Sequence, residues 1–199
     1  VGYFAQTTSW PAIGSPGPRY NNGDYTVNST NDPYNYGTGG QPVYVSCAKA
    51  FILYITDGEP CADGNLPATL SNYAGDAGSS YNCTASSCPA VGSFSAQTLP
   101  SCSESGNVAG IEDVGLFMHT NDIRTSATND LTGTQNIALY NVFAFAGANS
   151  TLLQYASING GFIDSNGNNL PDLQSEWDKD NDGVPDTYFR ASEGYALES

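Results

Sequence analysis

Two nearly continuous apolar runs constrain the fold of this chain more than any other feature. Residues 51–55 read FILYI, and residues 137–146 read IALYNVFAFA. A strand that is apolar on both of its faces is buried on both, as in the middle of a parallel sheet. The two runs therefore predict two buried strands of such a sheet.

Helical patterns alternate with these runs. Four apolar residues fall on one face of a predicted helix, with Glu112 and Asp113 on the other face; they are Ile111, Val114, Phe117 and Met118. A short helix capped at Asn149 or Ser150 follows the second run, and residues 160–163 predict a turn into a third strand. Strand, insertion, helix, strand, helix, strand is the order of a doubly wound α/β sheet.

The cysteines predict disulfides rather than a metal site. Four residues separate Cys83 from Cys88, and the sequence has no second closely spaced cysteine pair, which a zinc site would require. Disulfides form in an oxidising compartment, and with five cysteines one is left over; the five are Cys47, Cys61, Cys83, Cys88 and Cys102. We interpret residues 61–107 as a disulfide-stapled insertion, because an unstapled loop of that length is unusual in a compact domain.

The net charge excludes nucleic acid as a partner, and the acidic residues are concentrated in one segment. Twenty acidic residues against five basic ones give a net charge of −15, which repels nucleic acid. No apolar run approaches the ~18 residues of a membrane span. Seven of the acidic residues lie between Asp164 and Asp186, so we divide the chain into an α/β domain at 1–163 and an Asp-rich segment at 164–199.

The strongest chemical signal is the loop at residues 178–186, DKDNDGVPD. Carboxylates at positions 1, 3 and 5 (Asp178, Asp180 and Asp182) and Gly at position 6 are what a calcium loop requires, and the carbonyl of Val184 at position 7 adds an oxygen. Position 9 is Asp186, whereas position 12, Glu in an EF-hand, is Phe189. Every donor is a hard oxygen, which favours calcium over zinc. The alternative is a polar turn without an ion.

A weaker copy precedes this loop at residues 164–172, DSNGNNLPD. Positions 1, 3, 5, 7 and 9 supply its candidate ligands, which are Asp164, Asn166, Asn168, the carbonyl of Leu170, and Asp172. Both loops have Pro at position 8. Asn169 replaces Gly at position 6, and Asn tolerates the left-handed backbone that the turn needs. The same ion-free alternative stays open here.

Little else in the sequence suggests an enzyme. The chain has one histidine, His119, which we interpret as a packing or helix-surface residue rather than a base. Nucleophile-elbow, phosphate-loop and dinucleotide motifs do not occur in the sequence. We therefore expect a non-enzymatic protein.

Three segments carry a resemblance to a known family. Residues 47–60, CAKAFILYITDGEP, resemble the strand of von Willebrand factor A domains that ends in Thr-Asp-Gly. Residues 137–162 are similar to the next strand, its helix and the Gly-Gly that follows. With the tail at 176–199, the chain resembles the N-terminal part of the PilY1 family, the type IV pilus tip-associated proteins.

The resemblance implies a von Willebrand A-like fold and a second metal site. In these domains an Asp-x-Ser-x-Ser motif supplies the main ligands of an adhesion site, and Asp57 matches a further ligand of that site. The motif is absent from the 199 residues, and we expect the first strand and helix of the fold to lie upstream of Val1. Either an upstream polypeptide completes the site at Asp57, or that site is inactive here.

The resemblance also implies a role and a location. We expect a calcium-binding adhesin or assembly component at the bacterial surface, associated with type IV pili and binding pilus subunits or a host or surface receptor. The alternative is a structural subunit of a calcium-dependent extracellular filament or layer.

Overall fold

A computed structural model describes residues 32–58, 111–125, 130–144 and 150–191. These residues form three strands and three helices. In chain order they are β1 (Ala50–Thr56), α1 (Ile111–Thr120), β2 (Ile137–Ala144), α2 (Thr151–Gly161), α3 (Gln174–Trp177) and β3 (Tyr188–Ala191). The insertion at 61–107, with four of the five cysteines, lies outside the described residues. In the part that is described, no helix is both long and apolar enough to cross a membrane.

The strands form one parallel sheet in the order β1-β2-β3. Ala50 pairs with Ile137 and Thr56 with Phe143, so β1 pairs with β2 along the whole length of β1. β3 pairs with the second half of β2, from Asn141 opposite Tyr188 onwards. Helices connect parallel strands, and α/β was the class that the alternating patterns predicted.

Helices α1 and α2 pack on one face of this sheet. Ile137 and Met118 of α1 belong to one buried cluster, against which Ile52 packs, and Phe143, Tyr188 and Leu153 of α2 form another. The hydroxyl of Ser150 caps the amino end of α2 by accepting the Leu153 N–H at 3.2 Å. One of the two predicted caps is therefore confirmed.

The prediction that β1 is buried on both faces is wrong for the described residues. Alternate side chains of β1 are exposed, with Phe51 at 55%, Leu53 at 62% and Ile55 at 61%. Among the described strands, only β2 has a neighbour on each side, and none of the three described helices packs on the outer face of β1. An apolar run predicts a strand, but whether its outer face is covered depends on elements that the run does not encode.

The predicted polar face of α1 is also wrong. Glu112 and Asp113 are fully buried. Helix α1 also approaches α2 closely at Gly115. A Cβ at Gly115 would lie 3.2 Å from the carbonyl oxygen of Ala156, and the Cα of Gly160 would lie 3.5 Å away. Two facing glycines let the two helix backbones approach closely, and the Asn159 side-chain amide of α2 donates to the Glu112 carbonyl at 3.1 Å.

The prediction that residues 160–163 turn into a third strand is wrong. Residues 162 and 163 belong to no strand, and β3 lies at Tyr188–Ala191 instead. The Asp-rich residues 164–186 therefore lie inside the connection between β2 and β3. The strand that follows them, β3, pairs with β2, so their carboxyl end is joined to the same sheet.

A buried ion pair joins the residues before β1 to the connection between α1 and β2. The Arg124 guanidinium donates to both carboxylate oxygens of Asp32 at 2.9 Å and lies over the ring of Tyr34. Gln135 donates to the carbonyl of Ser46 at 3.0 Å. Cys47 has an exposed free thiol.

Candidate metal centre

The loop at residues 178–186, which we call the second loop, connects α3 to β3 directly. Trp177 ends α3 inside an apolar cluster with Leu116, Tyr155, Ile158 and Phe162. The N–H of Asp186 donates to the Trp177 carbonyl at 2.8 Å. This bond closes the loop on itself, and the core residue fixes both of its ends.

Three carboxylates converge within the second loop. One oxygen from each of Asp178, Asp180 and Asp186 lies within 4.8 Å of the other two. Asp178 is almost fully buried, whereas Asp180 and Asp186 are exposed. Like charges held this close favour a bound cation, and the cluster could hold a metal ion.

Backbone donors hold Asp178 at the first position. Its two oxygens accept the N–H of Asp182 at 3.0 Å and of Gly183 at 2.9 Å, and the amide of Gln174 at 2.6 Å. Burial raises the pKa of Asp178, but the hydrogen bonds from Gln174, Gly183 and Asp182 outweigh it and leave the pKa below its usual value. The carboxylate is therefore charged at neutral pH, as a ligand must be.

Asp182 and Val184 were also predicted as ligands. The Asp182 carboxylate accepts the Val184 N–H at 2.7 Å, and Asp182 is not one of the three converging carboxylates. The structure thus brings together three of the four predicted acidic ligands of this loop. Coordination by Asp182 and by the Val184 carbonyl stays a prediction.

The loop at residues 164–172, the first loop, repeats the same hydrogen bonds. Asp164 accepts the N–H groups of Gly167 at 2.8 Å, Asn168 at 3.2 Å and Asn169 at 2.9 Å. In both loops the side chain at position 3 accepts the N–H of position 5, and the side chain at position 5 accepts that of position 7. Burial raises the pKa of Asp164, but the bonds from Asn169 and Gly167 outweigh it, so the pKa is lowered.

The backbone of the two loops matches at its special positions as well. Positions 4 and 6 have positive φ in both, at Gly167 (76°) and Asn169 (60°) and at Asn181 (60°) and Gly183 (84°). Gly and Asn exchange places between the loops, and these residue types tolerate such angles best. The predicted left-handed Asn169 is confirmed, and the loops are two copies of one local fold.

The interiors of the two loops differ in charge. In the first loop the side-chain amides of Asn166 and Asn168 donate to the two oxygens of Asp172 at 2.8 Å and 3.0 Å. These donors partly neutralise Asp172 at position 9. The second loop instead has exposed carboxylates at positions 3 and 9, Asp180 and Asp186. A cation in the first loop would require the amides to turn their oxygens inward. Leu170 packs its side chain against the Trp177 cluster.

Glu176 ties the first loop to α3, a role that the sequence interpretation missed. One of its oxygens accepts the N–H and the hydroxyl of Ser165 at 2.9 Å and 2.8 Å, and the other accepts the Leu173 N–H at 3.2 Å. Its carbonyl accepts the Ile163 N–H at 2.8 Å. A Glu three residues after a helix N-cap is the signal that could have found it.

Asp57 and the two loops lie at opposite ends of the strands. Asp57 follows the carboxyl end of β1, whereas the loops precede the amino end of β3, and the strands are parallel. The Thr56 hydroxyl accepts the Gly58 N–H at 3.1 Å and donates to its carbonyl at 2.6 Å, which closes a turn. In the described part of the chain, Asp57 belongs to no group of three potential ligands. A metal at Asp57 stays a prediction.

Comparison with known proteins gives no family. No protein-family model, no curated protein and no solved structure matches this chain. The two loops and the residues that hold them are therefore the features that bear on function.

Proposed function

We propose that this protein binds calcium outside the cell, with the second loop as its stronger site. The observation that carries the proposal is the convergence of Asp178, Asp180 and Asp186 within 4.8 Å. The folded loop holds these oxygens close together through backbone bonds, so an ion would not have to order the chain first. Little ordering entropy then opposes binding.

The donor set favours calcium among the common metals. The loop offers carboxylate and carbonyl oxygens and contains neither His nor Cys, and zinc sites use those nitrogen and sulfur ligands. Calcium accepts six to eight oxygens in flexible geometry, whereas magnesium demands a near-ideal octahedron. Exposed Asp180 and Asp186 leave room for water ligands to complete the shell.

The first loop is the weaker second site. Calcium affinity depends on the number of charged ligands and on site rigidity, and this loop has two carboxylates where the second has four. Its amides must also reorient before their oxygens can face an ion. We expect the second loop to fill first.

Calorimetric titration with calcium tests both statements. The wild-type chain should bind calcium with one strong event, and Asp186→Asn should remove that event because it removes one of the three converging charges. Asp130→Asn is the matched control, since Asp130 is exposed and lies outside both loops. Calcium uptake that Asp186→Asn leaves intact would refute the assignment to the second loop.

We further propose that the protein acts as an adhesin or assembly component associated with type IV pili. The resemblance of residues 47–60, 137–162 and 176–199 to pilus tip-associated proteins supports this role, together with the paired loops. Binding to purified type IV pili, measured in calcium and again in chelator, tests it. Calcium-dependent binding is expected, and equal binding by an unrelated acidic protein would contradict it.

A structural subunit of a surface filament or layer is the second candidate. The uncovered outer face of β1, with Phe51, Leu53 and Ile55 exposed, favours contact between chains, because apolar patches of this kind mark interaction sites. Light scattering in millimolar calcium separates the two. Polymerisation favours the structural subunit, and a monomer favours the adhesin.

A further inference from the structure

The residue that joins the second loop to β3 is held by reciprocal buried hydrogen bonds. Thr187 lies between Asp186 and the first residue of β3 and is buried. Its hydroxyl donates to the Ser157 carbonyl on α2 at 3.0 Å. The Ser157 hydroxyl donates in return to the Thr187 carbonyl at 3.3 Å.

Asn141 on β2 completes this network. Its side-chain amide donates to the Ser157 hydroxyl at 2.8 Å, and its N–H donates to the Thr187 carbonyl at 2.9 Å. A side chain at Gly161 would collide with Thr187, so the fit is close. We call Asn141, Ser157 and Thr187 the polar joint; it connects β2, α2 and the end of the second loop.

The element beyond the polar joint is short. β3 has four residues, of which Phe189 and Arg190 are exposed. Besides its pairing with β2, it is held by the buried ring of Tyr188, whose hydroxyl accepts the Ser150 N–H at 3.2 Å. A short strand with half of its side chains in solvent has little burial to stabilise it, and such elements open at low free energy.

Without a cation, repulsion among the carboxylates of the second loop opposes the docking of β3. Docking β3 places Asp186 next to Asp178 and Asp180, and three like charges at that separation repel one another. A bound cation removes this repulsion. The residue that transmits the effect is Thr187, because it is covalently joined to Asp186 on one side and to β3 on the other.

We propose that calcium in the second loop and the docking of β3 stabilise one another through the polar joint. The ion favours the docked strand, and the docked strand raises the calcium affinity of the loop, since coupling between two sites is reciprocal. The inference rests on the proposed calcium site. Thr187 and Ser157 are positioning residues and contribute no side-chain ligand.

Calcium titration of joint variants tests this coupling. Thr187→Val keeps the side-chain volume and removes the hydroxyl, and Ser157→Ala breaks the joint on α2. Both should weaken calcium binding by about fivefold or more, the lower end of typical coupling between sites. Thr187→Ser keeps the hydroxyl and should retain most of the affinity.

Thr120→Val is the matched control, since it makes the same substitution as Thr187→Val in a different element. The Thr120 hydroxyl lies at the end of α1 and donates to the Leu116 carbonyl of that helix at 2.8 Å. This variant should leave the calcium affinity within about twofold, below the typical coupling range. Amide exchange at residues 188–191 gives a second readout: calcium should protect them in the wild type and less so in Thr187→Val.

The outcomes separate the coupling from the calcium site itself. A wild-type chain that binds no calcium overturns the proposed function. A wild-type chain that binds calcium, with Thr187→Val and Ser157→Ala binding equally well, overturns only the coupling. Equal weakening by Thr120→Val would also overturn it, because the effect would then follow general stability.

Discussion

The N–H of Asp186 donates to the carbonyl of Trp177 at 2.8 Å, and this bond places the last acidic residue of the second loop against a residue of the core. Trp177 is almost fully buried, and its neighbour Asp178 provides the first carboxylate. The apolar cluster around Trp177 thus sets the distance between the two ends of the loop.

Trp177→Ala should therefore weaken both the fold and the ion site. Loss of a buried Trp costs about 3–5 kcal/mol of unfolding free energy, and the loop ends should separate because their anchor is gone. Urea unfolding in calcium and in chelator measures both effects. Phe51→Ala is the control, since Phe51 is aromatic, half exposed and lies on β1; equal losses in the two variants would contradict the anchoring role.

Calcium should stabilise the loops and β3 more than the body of the sheet. A ligand at about 100 times its Kd adds about 2.7 kcal/mol to the unfolding free energy. Hydrogen exchange with and without chelator should show lost protection across residues 164–191, with residues 50–56 and 137–140 little changed. Uniform loss of protection over the whole sheet would contradict this localisation.

Acid should destabilise the calcium-free loops below about pH 4. The pKa values of Asp164 and Asp178 are lowered in the folded chain, since hydrogen bonds outweigh burial. The unfolded state then binds more protons, so stability is present above the unfolded value and is lost as the pH falls through the folded values. Chelated wild type and Asp178→Asn, unfolded by urea from pH 6 to 2.5, should differ in slope only in that acidic range. Identical slopes would contradict the assignment.

His119 should produce a separate loss of stability between neutral pH and about pH 5. Burial lowers its pKa more than the hydrogen bond to the Phe162 carbonyl raises it; the Nε2 atom lies 2.7 Å from that oxygen and donates to it. The unfolded chain therefore gains a proton first as the pH falls below about 6.5, and stability decreases. Proton NMR should give a pKa below the usual histidine value, and His119→Gln should flatten the profile between pH 7 and 5. A pKa at or above 6.5 would contradict the role of burial.

The buried ion pair of Arg124 and Asp32 should be sensitive to the loss of either partner. Arg124→Met and Asp32→Asn each leave the other group buried without its counter-charge, which costs about 3–5 kcal/mol. The double variant should be less destabilised than the sum of the two. Additive losses in urea unfolding would show that the groups act independently.

The two loops are the part of the structure that the sequence predicted best. Their geometry comes from bonds between side chains and backbone two to five residues apart, as when Asp178 accepts the N–H groups of Asp182 and Gly183. Such bonds are encoded in spacing and residue type alone. The Gly and Asn residues at positions 4 and 6 follow the same local rule.

Two of the errors concern relations between distant segments, and two concern local signals that were missed. The exposed face of β1 depends on which elements pack beside it, and the burial of Glu112 and Asp113 depends on how α1 packs in the folded chain. β3 was missed because its four residues are too short for a periodic pattern and follow an acidic loop. Glu176 was counted only as a charge, although its position made it a capping residue.

A crystal structure of the chain grown with calcium tests the central claim most directly. We expect one ion between Asp178, Asp180 and Asp186, with oxygen ligands at about 2.3–2.6 Å, and β3 paired with β2 beside it. A second loop without an ion in crystals grown at saturating calcium, or an ion at Asp57 alone, would contradict the account.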